Sequence, residues 1–124
     1  MLPKDHRLRF SQDFAATVRS GTRTGRRNVV LYARLRTFGA DEPTRFGFIV
    51  SKAVGNAVHR NLVKRRFRAL AAEVIATGPV GLDIVIRALP GAAEQDWSEL
   101  GKQVNSALGS AVRKAGGTDD SVNG

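Results

Sequence analysis

Cysteine is absent from this chain of 124 residues, and tyrosine, tryptophan and methionine occur once each. Without cysteine the protein can form neither disulfide bonds nor thiolate zinc sites. No apolar run reaches the roughly 18 residues that cross a membrane, and the opening MLPKDHRLRF lacks the apolar stretch of a signal peptide. We therefore expect a soluble, cytoplasmic protein that folds around one hydrophobic core.

Acidic residues are scarce in the first half of the chain. Residues 1–68 contain 16 lysines and arginines against 4 acidic residues, whereas residues 69–124 contain 4 basic and 7 acidic residues. The net charge of +9 thus originates entirely in the first part. Because solubility does not require such a gradient, we expect a polyanionic partner. No amphipathic helix has bulky apolar residues to spare for a membrane surface.

Signatures of protein-based catalysis are also missing. A protein nuclease needs a carboxylate cluster that holds Mg²⁺ or a histidine general base, and His6 and His59 have no metal-ligand spacing. The acidic residues before residue 69 are Asp5, Asp13, Asp41 and Glu42. No phosphate-binding G-x-x-x-x-G-K-[ST] loop is present. We expect no catalytic residue and no metal site within the protein alone.

Hydrophobic periodicity and turn residues predict an α+β protein with the element order α-β-β-α-β-α, a small mixed sheet packed with helices. The predicted elements are helices over 11–20, 57–76 and 96–115, strands over 28–36, 44–52 and 81–89, and a basic loop over 22–27. Residues 1–115 are expected to form a single domain, and the patternless residues 116–124 a disordered tail.

The helix predicted over 57–76 has two distinct faces. At 100° per residue, its core-facing stripe spans an arc of about 60° and consists of Val63, Phe67, Leu70 and Val74. The adjoining arc carries Arg60, Lys64 and Arg68, flanked by Asn61 and Arg65. Like charges four residues apart cost a helix roughly a few tenths of a kcal/mol per pair, and no acid interrupts residues 59–68. This face predicts a nucleic-acid phosphate partner.

Residues 51–70, SKAVGNAVHRNLVKRRFRAL, resemble the signature of the bacterial ribonuclease P protein component, approximately K-x-[IV]-G-x-A-[VH]-x-R-N-x-x-[KR]-R-x-x-R. RLRFSQDF near the start is similar to the family's R-L-x-x-x-x-[DE]-F, so the resemblance extends over about residues 7–114. The matching signature residues are Lys52, Gly55, Ala57, Arg60, Asn61, Lys64, Arg65 and Arg68. Many members have a second arginine where this chain has Leu62, and Arg66, one turn later, could substitute for it.

The resemblance implies a role in tRNA maturation. A large catalytic RNA, bound one to one by the protein and assisted by Mg²⁺, would remove the 5′ leader of precursor tRNA, with no membrane and no further protein partner. The implied catalytic-RNA-binding residues are Lys52, Asn56, Arg60, Asn61, Lys64, Arg65 and Arg68. The implied leader-binding cleft, between the first helix and the sheet, maps onto Phe14, Val18, Tyr32 and Arg34.

The aromatic residues fit these roles to different degrees. The alternation along its strand puts Tyr32 on the same face as Arg34, so we expect it at the surface, where it can stack on unpaired bases. Phe14, four residues before Val18, fits a core role and a stacking role equally well. We expect Phe46, Phe48 and Trp97 in the core. Arg26 and Arg27 fit phosphate contact and a solvated loop equally.

Two further alternatives remain. The family fold, that of the second domain of ribosomal protein S5, implies a left-handed strand–helix–strand crossover, whereas such crossovers are right-handed in about 98% of proteins. A scaffold for structured RNA, such as a ribosomal protein, would explain the basic helix but not its match to the signature.

Overall fold

The structure, a computed structural model, describes residues 7–8, 11–36, 43–77 and 80–115. The described residues form three α-helices and a four-stranded sheet, with 3-10 turns at Lys52–Val54 and Ala92–Glu94. In chain order the elements are α1 (Ser11–Ser20), β1 (Thr22–Gly25), β2 (Val29–Leu35), β3 (Arg45–Ile49), α2 (Ala57–Thr77), β4 (Leu82–Ala88) and α3 (Trp97–Lys114). The predicted mixed α+β fold is confirmed. The tail over 116–124 and the acids at 5, 41 and 42 lie outside the described residues.

The sheet has the strand order β1-β2-β4-β3. Strand β2 is antiparallel to both β1 and β4, whereas β3 is parallel to β4, with Phe46 opposite Ile84 and Phe48 opposite Ile86. Helix α2 connects the two parallel strands, as a strand–helix–strand crossover requires. The left hand of this crossover stays a prediction.

Strand β1 corrects the loop predicted over 22–27. Its four residues are too few for an alternating pattern to be visible in the sequence, and contacts with α3 hold them in place. The Thr22 hydroxyl lies 3.3 Å from the Ala111 carbonyl, and Lys114 Nζ donates to Thr24 Oγ1 at 3.2 Å. Tertiary packing therefore adds an edge strand where the sequence pattern shows only turn residues and arginines.

Hydrophobic residues pack on both faces of the sheet. The main core lies between the sheet and helices α2 and α3, and it includes Leu31, Ile84, Val63, Phe67 and Val104. A smaller cluster on the opposite face joins α1 to Leu8, Val30, Tyr32 and Val85. Because side chains alternate along a strand, the neighbours Ile84 and Val85 belong to different clusters. The prediction that β4 is buried on both faces is confirmed.

A buried pair of amides fastens α3 to the start of β2. The backbone N–H of Asn28 donates to Gln103 Oε1 at 2.7 Å, and Gln103 Nε2 donates to Asn28 Oδ1 at 3.0 Å. Asp96 caps the first turn of α3 by accepting from the Glu99 N–H at 2.8 Å, as the sequence predicts. These bonds fix the register of α3 against the sheet.

Two of the aromatic predictions are wrong. Tyr32 is only 8% exposed, because Phe14 and Val18 of α1 pack over the sheet face on which it lies. Trp97 is 43% exposed because it begins α3, where its ring lies beside the guanidinium of Arg66 instead of in the core. Phe46 is buried as predicted, and the partly buried Phe48 packs against the main core.

Candidate RNA interface

Helix α2 presents the predicted basic face. Val63 and Phe67 are completely buried and hold one side of the helix against the core, and the basic row lies beside them. Arg60, Lys64 and Arg68 are half-buried, while Asn61 and Arg65 are exposed. We call these five residues the α2 basic face. The first acidic residue of the helix is Glu73, so no acidic residue of α2 lies between Arg60 and Arg68.

Residues before α2 shape its first turn. Asn56 Oδ1 accepts from the His59 N–H at 3.0 Å, and the Asn56 carbonyl accepts from the Arg60 N–H at 2.9 Å, so Asn56 caps the helix. Gly55 has a backbone φ of 151°, a value that residues with a side chain rarely adopt. The Gly55 carbonyl accepts a hydrogen bond from Arg60 Nε at 3.2 Å. The amide oxygen of Asn56 is thus committed to the helix. Lys52 is exposed in the preceding 3-10 turn.

A groove of about 260 Å³ adjoins the α2 basic face along the outer edge of β3. It is lined by Arg7, Leu8, Phe14, Phe46, Gly47, Phe48, Lys64 and Arg68, and we call it the β3 groove. Its lining combines aromatic rings with three cations, the composition that binds single-stranded nucleic acid. Lys64 and Arg68 therefore belong both to the α2 basic face and to the β3 groove.

Phe14 contributes both to the packing of α1 on the sheet and to the wall of the β3 groove. A β-carbon at position 47 would overlap the Phe14 ring, so the glycine is needed for α1 to approach β3. The ring is half-buried, packs against the smaller cluster and also lines the β3 groove. Phe14 thus has the core contacts that its sequence position allowed, and its stacking role stays a prediction. Val18 packs in the same cluster and is not among the groove-lining residues.

An unforeseen charge cluster lies on the α1 side of the sheet. The completely buried carboxylate of Asp83 accepts two hydrogen bonds from Arg45, from Nε and Nη2, both at 2.9 Å. Arg34 Nη2 donates to it at 2.9 Å and Arg36 Nη1 at 2.8 Å. We call these four residues the Asp83 cluster. Burial raises the pKa of Asp83, but hydrogen bonds from Arg45, Arg34 and Arg36 outweigh it and hold that pKa below its ordinary value.

The Asp83 cluster changes the interpretation of β2. Its sequence alternation predicts a basic strand face, whereas the structure ties Arg34 to a carboxylate at the same level of β4. The missed signal is the lone aspartate in a strand whose other buried residues are all apolar, because a buried charge requires partners. Arginines on both neighbouring strands supply them. Arg34, predicted in the leader-binding cleft, is a half-buried member of this cluster.

The remaining candidate arginines differ in what they contact. Arg26 is docked on α3, with Nε donating to Ser106 Oγ at 3.1 Å and Nη2 to Ser110 Oγ at 3.3 Å. Arg66 Nη1 donates to the Gln95 carbonyl at 2.7 Å. Arg27 is exposed. Arg26 and Arg66 are thus tied to neighbouring elements, and Arg27 extends from the turn between β1 and β2.

Metal-binding groups and membrane-spanning helices are both missing from the described part of the chain. Within residues 7–8, 11–36, 43–77 and 80–115, no three histidine, aspartate or glutamate side chains gather into a group that could hold a metal ion. None of the helices in these ranges has the length and apolar character needed to span a bilayer.

Known proteins resemble this chain in both sequence and fold. The family model described as Ribonuclease P matches residues 2–112. The ribonuclease P protein component of Kocuria rhizophila is 58% identical over 114 residues, which cover 92% of this chain and 98% of that protein. The corresponding protein of Arthrobacter sp. is 54% identical over 117 residues, covering 94% and 85%. The solved RNase P protein of Staphylococcus aureus has 27% identity and a TM-score of 0.76, covering 87% of this chain and 96% of that one. With more than half of its residues shared with such relatives, the chain belongs to the ribonuclease P protein family.

Proposed function

We propose that this chain, a ribonuclease P protein component that acts in tRNA 5′ processing, binds the catalytic RNA through the α2 basic face. The observation that carries the proposal is the acid-free row of Arg60, Lys64 and Arg68, which lies beside the buried stripe that holds the helix against the core. Arginine presents a planar fork to phosphate oxygens, and lysine adds a point charge. Asn61, exposed within this row, is suited to a directed hydrogen bond with a base or a sugar.

The β3 groove supports a second part of the proposal, binding of the single-stranded 5′ leader. Its Phe14 and Phe48 offer ring surface for stacking, while Arg7, Lys64 and Arg68 offer charge for the sugar–phosphate backbone. Stacking on an aromatic ring is worth about 1–3 kcal/mol per base and tolerates any base, as leaders of variable sequence require. Tyr32, buried beneath α1, would act by supporting this wall and not by stacking.

The reaction itself is assigned to the RNA partner. The proposed α2 basic face offers cations and an amide, which bind phosphates but neither activate water nor hold Mg²⁺. The Mg²⁺ that the reaction uses would be held chiefly by RNA phosphates, and neutralisation of nearby phosphates by the protein would lower the Mg²⁺ concentration required. We propose one protein per catalytic RNA, acting in the cytoplasm.

Reconstitution tests the proposal. Precursor tRNA is incubated with its cognate catalytic RNA at low Mg²⁺, with and without the protein, and release of the 5′ leader is measured. We expect the protein to increase cleavage strongly, and to increase it more for precursors with a leader of several nucleotides than for those with a single nucleotide. Cleavage by the protein alone would contradict the assignment of the chemistry to RNA. Unchanged cleavage on addition of the protein would contradict the role as a whole.

A further inference from the structure

A second row of side chains runs along α2 beside the α2 basic face, and it begins with apolar residues. Val58 is 74% exposed and Leu62 is half-buried, and because they lie four residues apart, their side chains share one side of the helix. Arg66 continues the row one turn later, and Trp97 of α3 lies beside its guanidinium. We call Val58, Leu62, Arg66 and Trp97 the Trp97 patch.

The Trp97 patch differs from the other exposed apolar positions. Large apolar side chains are exposed at four places in the described parts of the chain: Leu35, Val58, Val80 and Trp97. Leu35 ends β2 and Val80 precedes β4, whereas Val58 and Trp97 lie at the two ends of the row that contains Leu62. Single exposed apolar side chains are normal on a protein surface, but several on one side of a helix indicate an interaction surface.

The Trp97 ring is held on one face and accessible elsewhere. The Arg66 guanidinium lies over the ring, 6.0 Å from its centroid, and Arg66 Nη1 donates to the Gln95 carbonyl at 2.7 Å. The hydrogen bond fixes the guanidinium, which in turn covers one ring face. Because Trp97 is 43% exposed, ring surface remains for a second flat group. A ring held in this way loses little side-chain entropy when a base stacks on it.

The cations next to the Trp97 patch favour RNA as its occupant. Asn61 and the exposed Arg65 lie on α2 between the patch and the row of Arg60, Lys64 and Arg68, so both rows belong to one continuous surface. Aromatic and apolar side chains beside cations bind unpaired bases, while the cations neutralise the neighbouring phosphates.

Acidic residues border the patch on the α3 side. Asp96 Oδ1 accepts from the Glu99 N–H at 2.8 Å, and Glu99 Oε2 accepts from Gln103 Nε2 at 3.1 Å, so both carboxylates are held against α3. Glu94 is exposed in the 3-10 turn before α3, and Glu73 lies on α2 beyond the end of the patch. An RNA strand would therefore reach the patch from the α2 basic face.

We propose that the Trp97 patch binds an unpaired nucleotide of the catalytic RNA, with its base stacked on the Trp97 ring and its ribose packed against Leu62. Arg66 is the positioning residue that holds the ring. The row from Val58 to Arg66 is about 12 Å long at a rise of 1.5 Å per residue, so it has room for a neighbouring nucleotide as well. This inference rests on the proposed RNA-binding function and adds to it a contact that does not depend on charge.

The fluorescence of Trp97 tests the proposal directly, because this is the single tryptophan of the chain. Titration of the protein with catalytic RNA should quench its emission in step with complex formation, since a stacked base quenches indole fluorescence. A leader oligonucleotide, expected in the β3 groove, should leave the emission nearly unchanged. N-acetyltryptophanamide in the same RNA solutions corrects for light absorbed by RNA. Emission that stays constant while the complex forms would overturn the proposal.

Affinity across a salt series separates stacking from charge. Trp97→Ala should weaken binding of the catalytic RNA about tenfold, the scale of one stacked base, and Leu62→Gln about threefold. Neither change removes a cation, so the slope of log K against log salt concentration should keep its wild-type value. Leu35→Ala, which truncates an exposed apolar side chain on β2, is the matched control. Losses no greater than that of Leu35→Ala, or a reduced slope, would overturn the proposal.

Other occupants of the patch give different results. The affinity of the assembled complex for leader-bearing precursor relative to leaderless tRNA should be the same for wild type and Trp97→Ala. A loss confined to leader-bearing precursor would assign the patch to the leader and overturn the proposal. Sedimentation of the free protein tests for a second copy: a dimer that Trp97→Ala abolishes, with binding of the catalytic RNA unchanged, would overturn it too.

A second variant keeps the test decisive if Trp97→Ala does not fold. Far-ultraviolet circular dichroism checks each variant, and Trp97→Phe retains a smaller ring on the same helix. Trp97→Phe should lose less affinity for the catalytic RNA than Trp97→Ala, and less than tenfold in any case. Failure of the Trp97 patch leaves the proposed function intact, because that function depends on whether the wild-type protein stimulates cleavage.

Discussion

Replacement of Arg60, Lys64 and Arg68 by alanine should weaken binding of the catalytic RNA and reduce its dependence on salt. Each phosphate contact contributes roughly 0.7–0.9 to the slope of log K against log salt concentration. Loss of three contacts should therefore reduce the slope by about 2–2.7. Between 50 and 200 mM salt the ratio of wild-type to variant affinity should then shrink by roughly 15- to 40-fold.

The same substitutions should leave the protein folded. All three side chains lie outside the buried stripe of α2, and two like-charged pairs at four-residue spacing disappear, which relieves roughly a few tenths of a kcal/mol each. The bond from Arg60 to the Gly55 carbonyl is lost, at a cost of about 1 kcal/mol. We expect the free energy of unfolding to change by less than about 1 kcal/mol.

Filter binding of labelled catalytic RNA across a salt series is the assay, with urea unfolding in parallel. Alanine substitutions of Arg23, Lys102 and Arg113 provide a control. These exposed cations lie on β1 and α3, and their replacement removes the same formal charge as the triple substitution on α2. The control should lower affinity less and keep the slope closer to wild type. A triple variant on the α2 basic face with the wild-type slope would refute the assignment of RNA phosphates to this face.

Three other perturbations test other parts of the structure. Because the pKa of Asp83 is lowered in the folded protein, the ionised carboxylate stabilises the fold fully above its ordinary pKa, and this stabilisation is lost as pH falls below about 3.8. The unfolding free energies of wild type and Asp83→Asn, measured by urea titration, should therefore converge in acid. Gly47→Ala should force the Phe14 ring aside, costing about 1–3 kcal/mol of stability and weakening leader-dependent binding in the precursor assay. Gln103→Leu leaves the Asn28 N–H buried without its acceptor and should cost about 1–3 kcal/mol in urea unfolding; wild-type stability would contradict the importance of this contact.

The local pattern of apolar and basic residues was sufficient to predict the helices and which side of α2 faces the core. The buried stripe of Val63 and Phe67 and the basic row beginning at Arg60 follow from a period of 3.6 residues, and both occupy their predicted sides of α2. The cap at Asp96 depends on one side chain and the turn next to it. Features that arise within a few consecutive residues are therefore visible in the sequence.

Features set by distant partners could not be predicted in this way. Tyr32 is buried because α1 folds over its strand, and the presence of Arg34 on the same strand face contains no information about that helix. The Asp83 cluster joins residues up to 49 positions apart, and only the strand order brings them together. Trp97 is exposed because α3 begins beyond the edge of the main core. Each of these outcomes depends on packing between elements, not on the pattern within one.

Tethered cleavage tests the division of the surface into an α2 basic face and a β3 groove most directly. Since the chain has no cysteine, single cysteines introduced at the exposed positions Ala69 on α2, Ala15 on α1 and Asn105 on α3 can each carry an iron chelate that cuts nearby RNA. In the assembled complex with precursor tRNA, we expect the probe at position 69 to cut the catalytic RNA, the probe at position 15 to cut the 5′ leader, and the probe at position 105 to cut neither strongly. Leader cleavage from position 69 together with catalytic-RNA cleavage from position 105 would contradict the account.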